Sequence, residues 1–292
     1  MRDEHPLPGI DHLIDGVRVH VVHHGAGAGL PVLLLHGIPT SSYLWRDVQR
    51  DLEQRHVTLA PDLLGLGRSE RPPHARYDLA SQAELLLRLL DELGHDRVAV
   101  VGHDVGGGVA VHLAALAPTR VAALVLVDAP VHADVWPVPQ ISTLVTPVLG
   151  ETQAMLLRRL PAAGRRYLAW NLGRGLRSTE LSPKSLDIYA SSLLTSDGTR
   201  GLLALVRGCD PAAVESAFDI VRRDPPPTLV LWAEDDTWHS TAYGRRVAGD
   251  IPGAAFVTVA GSGHFIPEDR PERVAEEVEG FLADIATTSA TA

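Results

Sequence analysis

The stretch VAVVGHDVGG, Val98–Gly107, decides the fold. Its apolar, largely β-branched start predicts a buried strand, Gly102 and Gly106 predict a tight turn, and the following GGGVAVHLAALA predicts a helix. A strand that turns at once into a helix lifts Asp104 above the edge of the sheet, close to backbone N–H groups of the helix N-terminus. Asp is also a common helix N-cap, so the motif alone leaves a structural and a chemical role for Asp104 open.

Short apolar runs alternate with longer amphipathic stretches along most of the chain. This alternation predicts an α/β fold with a largely parallel sheet covered by helices. One helix is predicted over Leu79–Leu93, where Gly94 supplies a stop signal. The predicted strands are Val17–His23, Pro31–His36, His56–Pro61, Arg97–Gly102, Arg120–Val127, Thr228–Ala233 and Ala255–Val259.

The alternation fails between Pro130 and about Asp219. This segment is rich in Leu, Arg and Pro and has helical periodicity without a strand signal. We therefore predict a core domain formed by residues 1–129 and 220–292, with a helical cap at 130–219. Insertions over the carboxyl ends of parallel strands commonly roof a pocket, although a helical domain without a role in chemistry is the alternative.

Composition excludes several classes of protein. The 292 residues carry a formal net charge of −10, which argues against a nucleic-acid partner. Cys209 is the only cysteine, so an internal disulfide or a thiolate metal cluster is excluded and a reducing compartment is favoured. The apolar run Val121–Val127 is too short to span a bilayer, and the start of the sequence lacks the apolar core of a signal peptide. We expect a soluble cytoplasmic protein with no membrane partner, and a homodimer stays open.

Two further motifs supply a candidate histidine and a candidate acid for the same site. GSGHFIPEDRPERV puts His264 in a glycine-rich turn after the last predicted strand, and TLVLWAEDD puts Asp235 and Asp236 at the end of another strand. Of this pair we assign Asp236 as the acid and Asp235 as a solvated neighbour. Asp128, at the end of LVLVD, is the alternative acid. The chain order is nucleophile, acid and then base.

Together these motifs resemble the α/β-hydrolase superfamily over almost the whole chain, and within it the branch of haloalkane dehalogenases and epoxide hydrolases. The resemblance is carried by HGIPTSSYLW from His36, APDLLGLGRSE from Ala60, GHDVGG from Gly102, WAEDD from Trp232 and GSGHFIPEDRPE from Gly261. It implies an α/β-hydrolase fold and a small, apolar, electrophilic substrate. Neither a cofactor nor a metal is expected.

The resemblance also implies roles for individual residues. Asp104 would attack a saturated carbon and form an alkyl ester, which a serine at this position could not do in the same way. His264 would activate the water that cleaves the ester, and Asp236 would orient the imidazole. The backbone N–H groups of Ile38 and Val105 would form the oxyanion hole.

Two positions depart from the dehalogenase pattern. Those enzymes usually carry Asn and Trp where this chain has Ile38 and Val105, whose side chains cannot donate a hydrogen bond to a halide. Epoxide hydrolases usually use two cap tyrosines as proton donors, but Val206 stands where one would be expected. The remaining cap candidates are Tyr167, Trp170 and Tyr189, each of which has a plain packing role as its alternative.

The sequence therefore favours an epoxide hydrolase. A dehalogenase or an ester or lactone hydrolase using the same turn is the second hypothesis. A ligand-binding relative without turnover is the third, and an intact set of nucleophile, base and acid argues against it.

Overall fold

The computed structural model describes residues 6–139 and 141–291. Their strands form one eight-stranded sheet in the order β1-β2-β4-β3-β5-β6-β7-β8. The strands are β1 (Gly9–Ile14), β2 (Val17–His24), β3 (Val32–Leu35), β4 (Thr58–Pro61), β5 (Val98–His103), β6 (Val121–Val127), β7 (Thr228–Ala233) and β8 (Ala255–Val259).

The sheet is parallel from β4 to β8, and β1 and β2 are antiparallel at one edge. Every residue of β3, β4, β5, β6 and β7 is buried, so both faces of the central sheet are covered. This confirms the predicted α/β class. Strand β1 was not predicted because its GIDHLI sequence mixes exposed polar and apolar residues, as an edge strand allows.

Twelve helices flank or extend from the sheet in the described part of the chain. In chain order they are α1 (Arg46–Leu52), α2 (Leu79–Glu92), α3 (Val105–Leu116), α4 (Ser142–Val145), α5 (Pro147–Arg159), α6 (Pro161–Arg174), α7 (Pro183–Leu193), α8 (Ser196–Gly208), α9 (Pro211–Val221), α10 (Thr241–Asp250), α11 (Ile266–Asp269) and α12 (Pro271–Thr291). Helix α3 packs against α2, β5 and β6, while α1 packs against α12. None of the described helices is both long and apolar enough to cross a bilayer.

Helices α4 to α9 lie between β6 and β7 in the chain. Helices α4, α5 and α8 contact one another, and α6 contacts α5 and α7. Helix α9 instead packs on α3. The predicted cap segment 130–219 includes most of α9, and the division between core and cap stays a prediction.

Candidate active site

The turn between β5 and α3 holds Asp104 in a strained conformation. Its φ of 53° and ψ of −126° lie where a non-glycine residue is rarely found. Glycine is required beside it, because a Cβ on Gly106 would lie 2.4 Å from the carbonyl oxygen of Leu35. The side chain of Asp104 makes no capping hydrogen bond to α3, so the strain does not serve to cap that helix.

The carboxylate of Asp104 is instead bound from above the sheet. The backbone N–H of Ile38 donates a hydrogen bond of 2.9 Å to Oδ1, and a Cβ on Gly37 would lie 2.5 Å from that same oxygen. His36 shapes this turn by accepting the N–H of Leu63 at Nε2. Oδ1 therefore already contacts an N–H group of the predicted oxyanion hole.

His264 faces the other oxygen of Asp104. Its Nε2 lies 3.7 Å from Asp104 Oδ2, an ion-pair distance, and its Nδ1 lies 3.0 Å from Asp236 Oδ2. The indole of Trp238 stacks on the imidazole with ring centroids 4.4 Å apart. The structure thus brings together the three residues predicted to be catalytic.

Asp236 is fixed by the backbone of its own loop. Its Oδ1 accepts the N–H groups of Trp238 at 2.6 Å and His239 at 3.1 Å. The neighbouring Asp235 is partly exposed and pairs with Arg177. The two adjacent acids therefore occupy different environments, one against the histidine and one at the surface.

Asp128 lies close to His264, but its Oδ2 is buried without a hydrogen-bond partner among the described residues. Its φ is 43°, and its Oδ1 accepts the N–H of Ala233 at 2.9 Å. Burial and the nearby charge of Asp236 raise the pKa of Asp128 well above its usual range.

The charges of the site stabilise one another. Burial lowers the pKa of His264, but Asp236 and Asp104 outweigh it and raise that pKa to about 10. Burial raises the pKa of Asp104, yet His264 brings it down to about 2. The resting site is thus an imidazolium between two carboxylates.

Two histidines that the sequence did not single out adjoin His264. His103 Nε2 lies 2.8 Å from the backbone oxygen of His264, and His239 is also buried nearby. Burial and the charge of His264 lower the pKa of each to about 4, so both are neutral. Trp238 was missed as well, because WHS after the acid pair matches no chemical motif.

Ligand-capable atoms of His103, Asp128 and His264 lie within 4.8 Å of one another. All three residues are buried, and His264 is already engaged by carboxylates. The expectation of a metal-free site stays a prediction.

Asp269 joins the turn that carries His264 to the helical insertion between β6 and β7. This buried carboxylate accepts the N–H of Gly263, directly before His264, at 2.8 Å. It also accepts the N–H groups of Arg177 at 2.8 Å and of Ser178 and Thr179 at 2.9 Å. One side chain therefore joins the histidine turn to the segment that follows α6.

The three cap candidates lie in different surroundings. Tyr189 donates a hydrogen bond of 2.5 Å to Glu268, which also forms a bidentate pair with Arg46, and burial raises the pKa of this tyrosine well above 10. Trp170 is 55% exposed and lies under the guanidinium of Arg174. Of the three, Tyr167 is the one that lines an apolar cavity shared with Ile38.

Together with its opening to solvent, that cavity has a volume of about 460 Å³, and it is also lined by Pro39, Leu168 and Leu202. The Tyr167 hydroxyl accepts a hydrogen bond of 2.9 Å from the amide of Gln153, which leaves its own proton available for donation. A second apolar cavity lies beside Val105 and has a volume of about 320 Å³ together with its opening to solvent.

The family model described as the alpha/beta hydrolase fold matches residues 31–271. The chain belongs to the α/β-hydrolase family. It is similar to haloalkane dehalogenase 2 of Mycobacterium tuberculosis, at 28% identity over 268 residues that cover 89% of this chain and 90% of the relative. A soluble epoxide hydrolase of Corynebacterium sp. is 45% identical over 102 residues, or 35% of each chain.

A solved structure of the epoxide hydrolase CorEH without ligand superposes with a TM-score of 0.79 at 25% identity, covering 95% of this chain and 99% of that one. These likenesses confirm the predicted family and its enzymatic character as an α/β-family hydrolase. They include both epoxide hydrolases and haloalkane dehalogenases, so they do not distinguish between these two reactions.

Proposed function

We propose that this protein hydrolyses epoxides to diols through an alkyl ester on Asp104. The observation that carries the proposal is that the two oxygens of this carboxylate make different contacts. Oδ1 is held by the N–H of Ile38, and Oδ2 faces His264 across 3.7 Å.

In the first step Oδ2 of Asp104 attacks an epoxide carbon, and the bond between that carbon and the ring oxygen breaks. The ring oxygen takes a proton from the hydroxyl of Tyr167. Attack consumes the negative charge of Asp104, so the pKa of His264 falls, and the proton that the imidazolium releases restores the hydroxyl of Tyr167. His264 is then the neutral base that the second step requires.

In the second step His264 takes a proton from water, and the resulting hydroxide attacks Cγ of the ester. Oδ1 is the carbonyl oxygen of this ester, so the negative charge develops on an atom that already contacts the Ile38 N–H. A single donor of this kind contributes about 3 kcal/mol to the transition state. Collapse of the intermediate expels the diol, which takes its proton from His264. The proton that remains on the carboxyl of Asp104 then passes to His264 and restores the resting ion pair.

Dehalogenation is the second candidate. The indole N–H of Trp238 is buried without a hydrogen-bond partner among the described residues, and it could donate a hydrogen bond to a halide. A halide leaves with nearly full charge, and the side chains of Ile38 and Val105 have no hydrogen-bond donor that could stabilise this charge. We therefore expect chloroalkanes to react at least ~100-fold more slowly than epoxides.

The test uses His264→Gln, which should form the ester but not cleave it. Incubated with panels of epoxides, haloalkanes and esters and then quenched, this variant should gain the mass of an epoxide on the peptide that contains Asp104. Asp104→Asn is the control and should gain nothing. An adduct on another residue, or a larger adduct yield from haloalkanes, contradicts the proposal.

The proton donor is tested by a matched pair of tyrosine variants. Tyr167→Phe should slow formation of the ester, whereas Tyr189→Phe should leave its rate within about threefold because Tyr189 is bonded to Glu268. Equal rates in both variants would assign the donor to another group.

A further inference from the structure

Exposed apolar side chains are concentrated on two helices of the cap. Nine large apolar residues are exposed among the described residues, and five of them lie between Val148 and Trp170. The five are Val148 (76% exposed), Leu149 (56%), Leu156 (50%), Leu160 (55%) and Trp170 (55%). Clusters of this kind are uncommon on a surface that faces only water, and they commonly mark a site of association.

Helix α5 is apolar on both sides. Its inner side contributes the buried Gly150 and Ala154, and Leu157 lines the cavity that contains Tyr167. A helix that only roofs a cavity needs apolar residues on that side alone. The outward Val148 and Leu156 therefore call for a second environment.

The same segment is strongly basic. Residues 147–177 contain six arginines and one glutamate, a net charge of +5 in a protein whose total is −10. Arg165 and Arg177 pair with carboxylates. Arg158, Arg159 and Arg166 have no carboxylate within 4 Å in the described part of the chain. Arg159 and Arg166 are exposed.

We propose that the outer surface of α5 and α6 binds an anionic lipid membrane. Exposed leucines, an exposed tryptophan and unpaired arginines are the combination that lies at the boundary between lipid headgroups and acyl chains. A symmetric contact with a second copy would instead bring the unpaired arginines of both copies together. This surface would lie on the membrane, in its plane. The sequence prediction of no membrane partner rests on the lack of a spanning segment and does not bear on such binding.

The proposal is tested by flotation of the full-length protein with large unilamellar vesicles. One set contains phosphatidylcholine alone, and the other contains phosphatidylcholine and phosphatidylglycerol at a ratio of about 7:3. We expect the protein to float with the anionic vesicles at low salt and to be released as the salt concentration rises.

Two variants separate the contributions of charge and apolar contact. In the charge variant the three unpaired arginines become glutamine, and because each is worth about fivefold near an anionic surface, the affinity should fall roughly 100-fold. The apolar variant, which also should lose binding, carries Leu149→Ser, Leu156→Ser and Trp170→Ser. Its matched control carries Leu13→Ser, Leu116→Ser and Ile220→Ser, which are exposed elsewhere, and should bind as the unmodified protein does.

Circular dichroism checks that every variant is folded. Absence of flotation with anionic vesicles at low salt overturns the proposal, and so does equal binding to both vesicle types. Light scattering that shows a dimer lost in the apolar variant, without vesicle binding, would assign the surface to a second copy and also overturn it.

Discussion

Replacing Asp104 with Asn should bring the pKa of His264 close to neutrality. The two side chains lie 3.7 Å apart and are buried. At an effective dielectric constant of about 20, unit charges at this separation attract by about 4 kcal/mol, which corresponds to a change of about 3 in the pKa of His264. The pKa of His264 is about 10 in the resting protein, so in the variant the same pKa should be about 7. Such a value suits a general base at neutral pH, and the variant reproduces the charge of the proposed ester intermediate.

The pKa of His264 is measured by NMR of ¹⁵N-histidine-labelled protein between pH 5 and about 11, a range that brackets both values. Asp235→Asn is the matched control, because Asp235 pairs with Arg177 and should leave the titration of His264 unchanged. A pKa that stays near 10 in Asp104→Asn, or that is already near neutrality in the unmodified protein, refutes the argument that the charge of Asp104 holds the proton on His264.

The same ion pair has a consequence for stability. The pKa of His264 is raised from 6.5 to about 10 in the folded protein, so its contribution is fully present below pH 6.5 and is lost as the pH rises through 10. The free energy of unfolding should therefore fall more steeply over this interval in the unmodified protein than in Asp104→Asn. Urea unfolding at a series of pH values tests this, and parallel curves contradict it.

Three further predictions concern other parts of the site. Asp236→Asn should slow cleavage of the ester by roughly 10³–10⁴-fold while Asp128→Asn slows it less than about tenfold, as followed by the lifetime of the adduct in mass spectrometry, and the reverse order would place the acid on β6. Gly37→Ala should slow formation of the ester by about 100-fold in single-turnover kinetics, because its Cβ would lie 2.4 Å from that of Asp104; an unchanged rate means that the turn can move. Glu268→Gln should destabilise the protein by about 3–5 kcal/mol in urea unfolding, because it weakens the compensation of a buried arginine, and a loss below about 1 kcal/mol contradicts this.

The central sheet could be predicted because its strands are buried on both sides and therefore have nearly continuous apolar sequences. The edge strand β1 lacks that signal. Asp104, Asp236 and His264 could be expected at one edge of the sheet because each follows a recognisable strand. Their mutual distances depend on the sheet order, which places β5, β6, β7 and β8 side by side.

The sequence indicates a helical insertion between β6 and β7, but it does not show the contacts of individual residues within it. Tyr189 is an ordinary helical tyrosine in the sequence, and its partner Glu268 lies 79 residues away. The outward position of Trp170 likewise depends on how α5 and α6 pack together. Helical periodicity does not say which side of a helix faces a cavity when both sides are apolar, as they are in α5.

The carboxylate of Asp269 limits how this enzyme can be re-engineered. Exchange of the cap for that of a relative is an obvious way to change the substrate, and the segment after α6 would be a natural place to join the two chains. Three backbone N–H groups of that segment share their acceptor with the N–H of Gly263. A chimaera joined there would leave the buried carboxyl of Asp269 without three of its four backbone donors, and this carboxyl also holds the residue directly before His264, so a functional graft has to keep residues 175–179 from this protein.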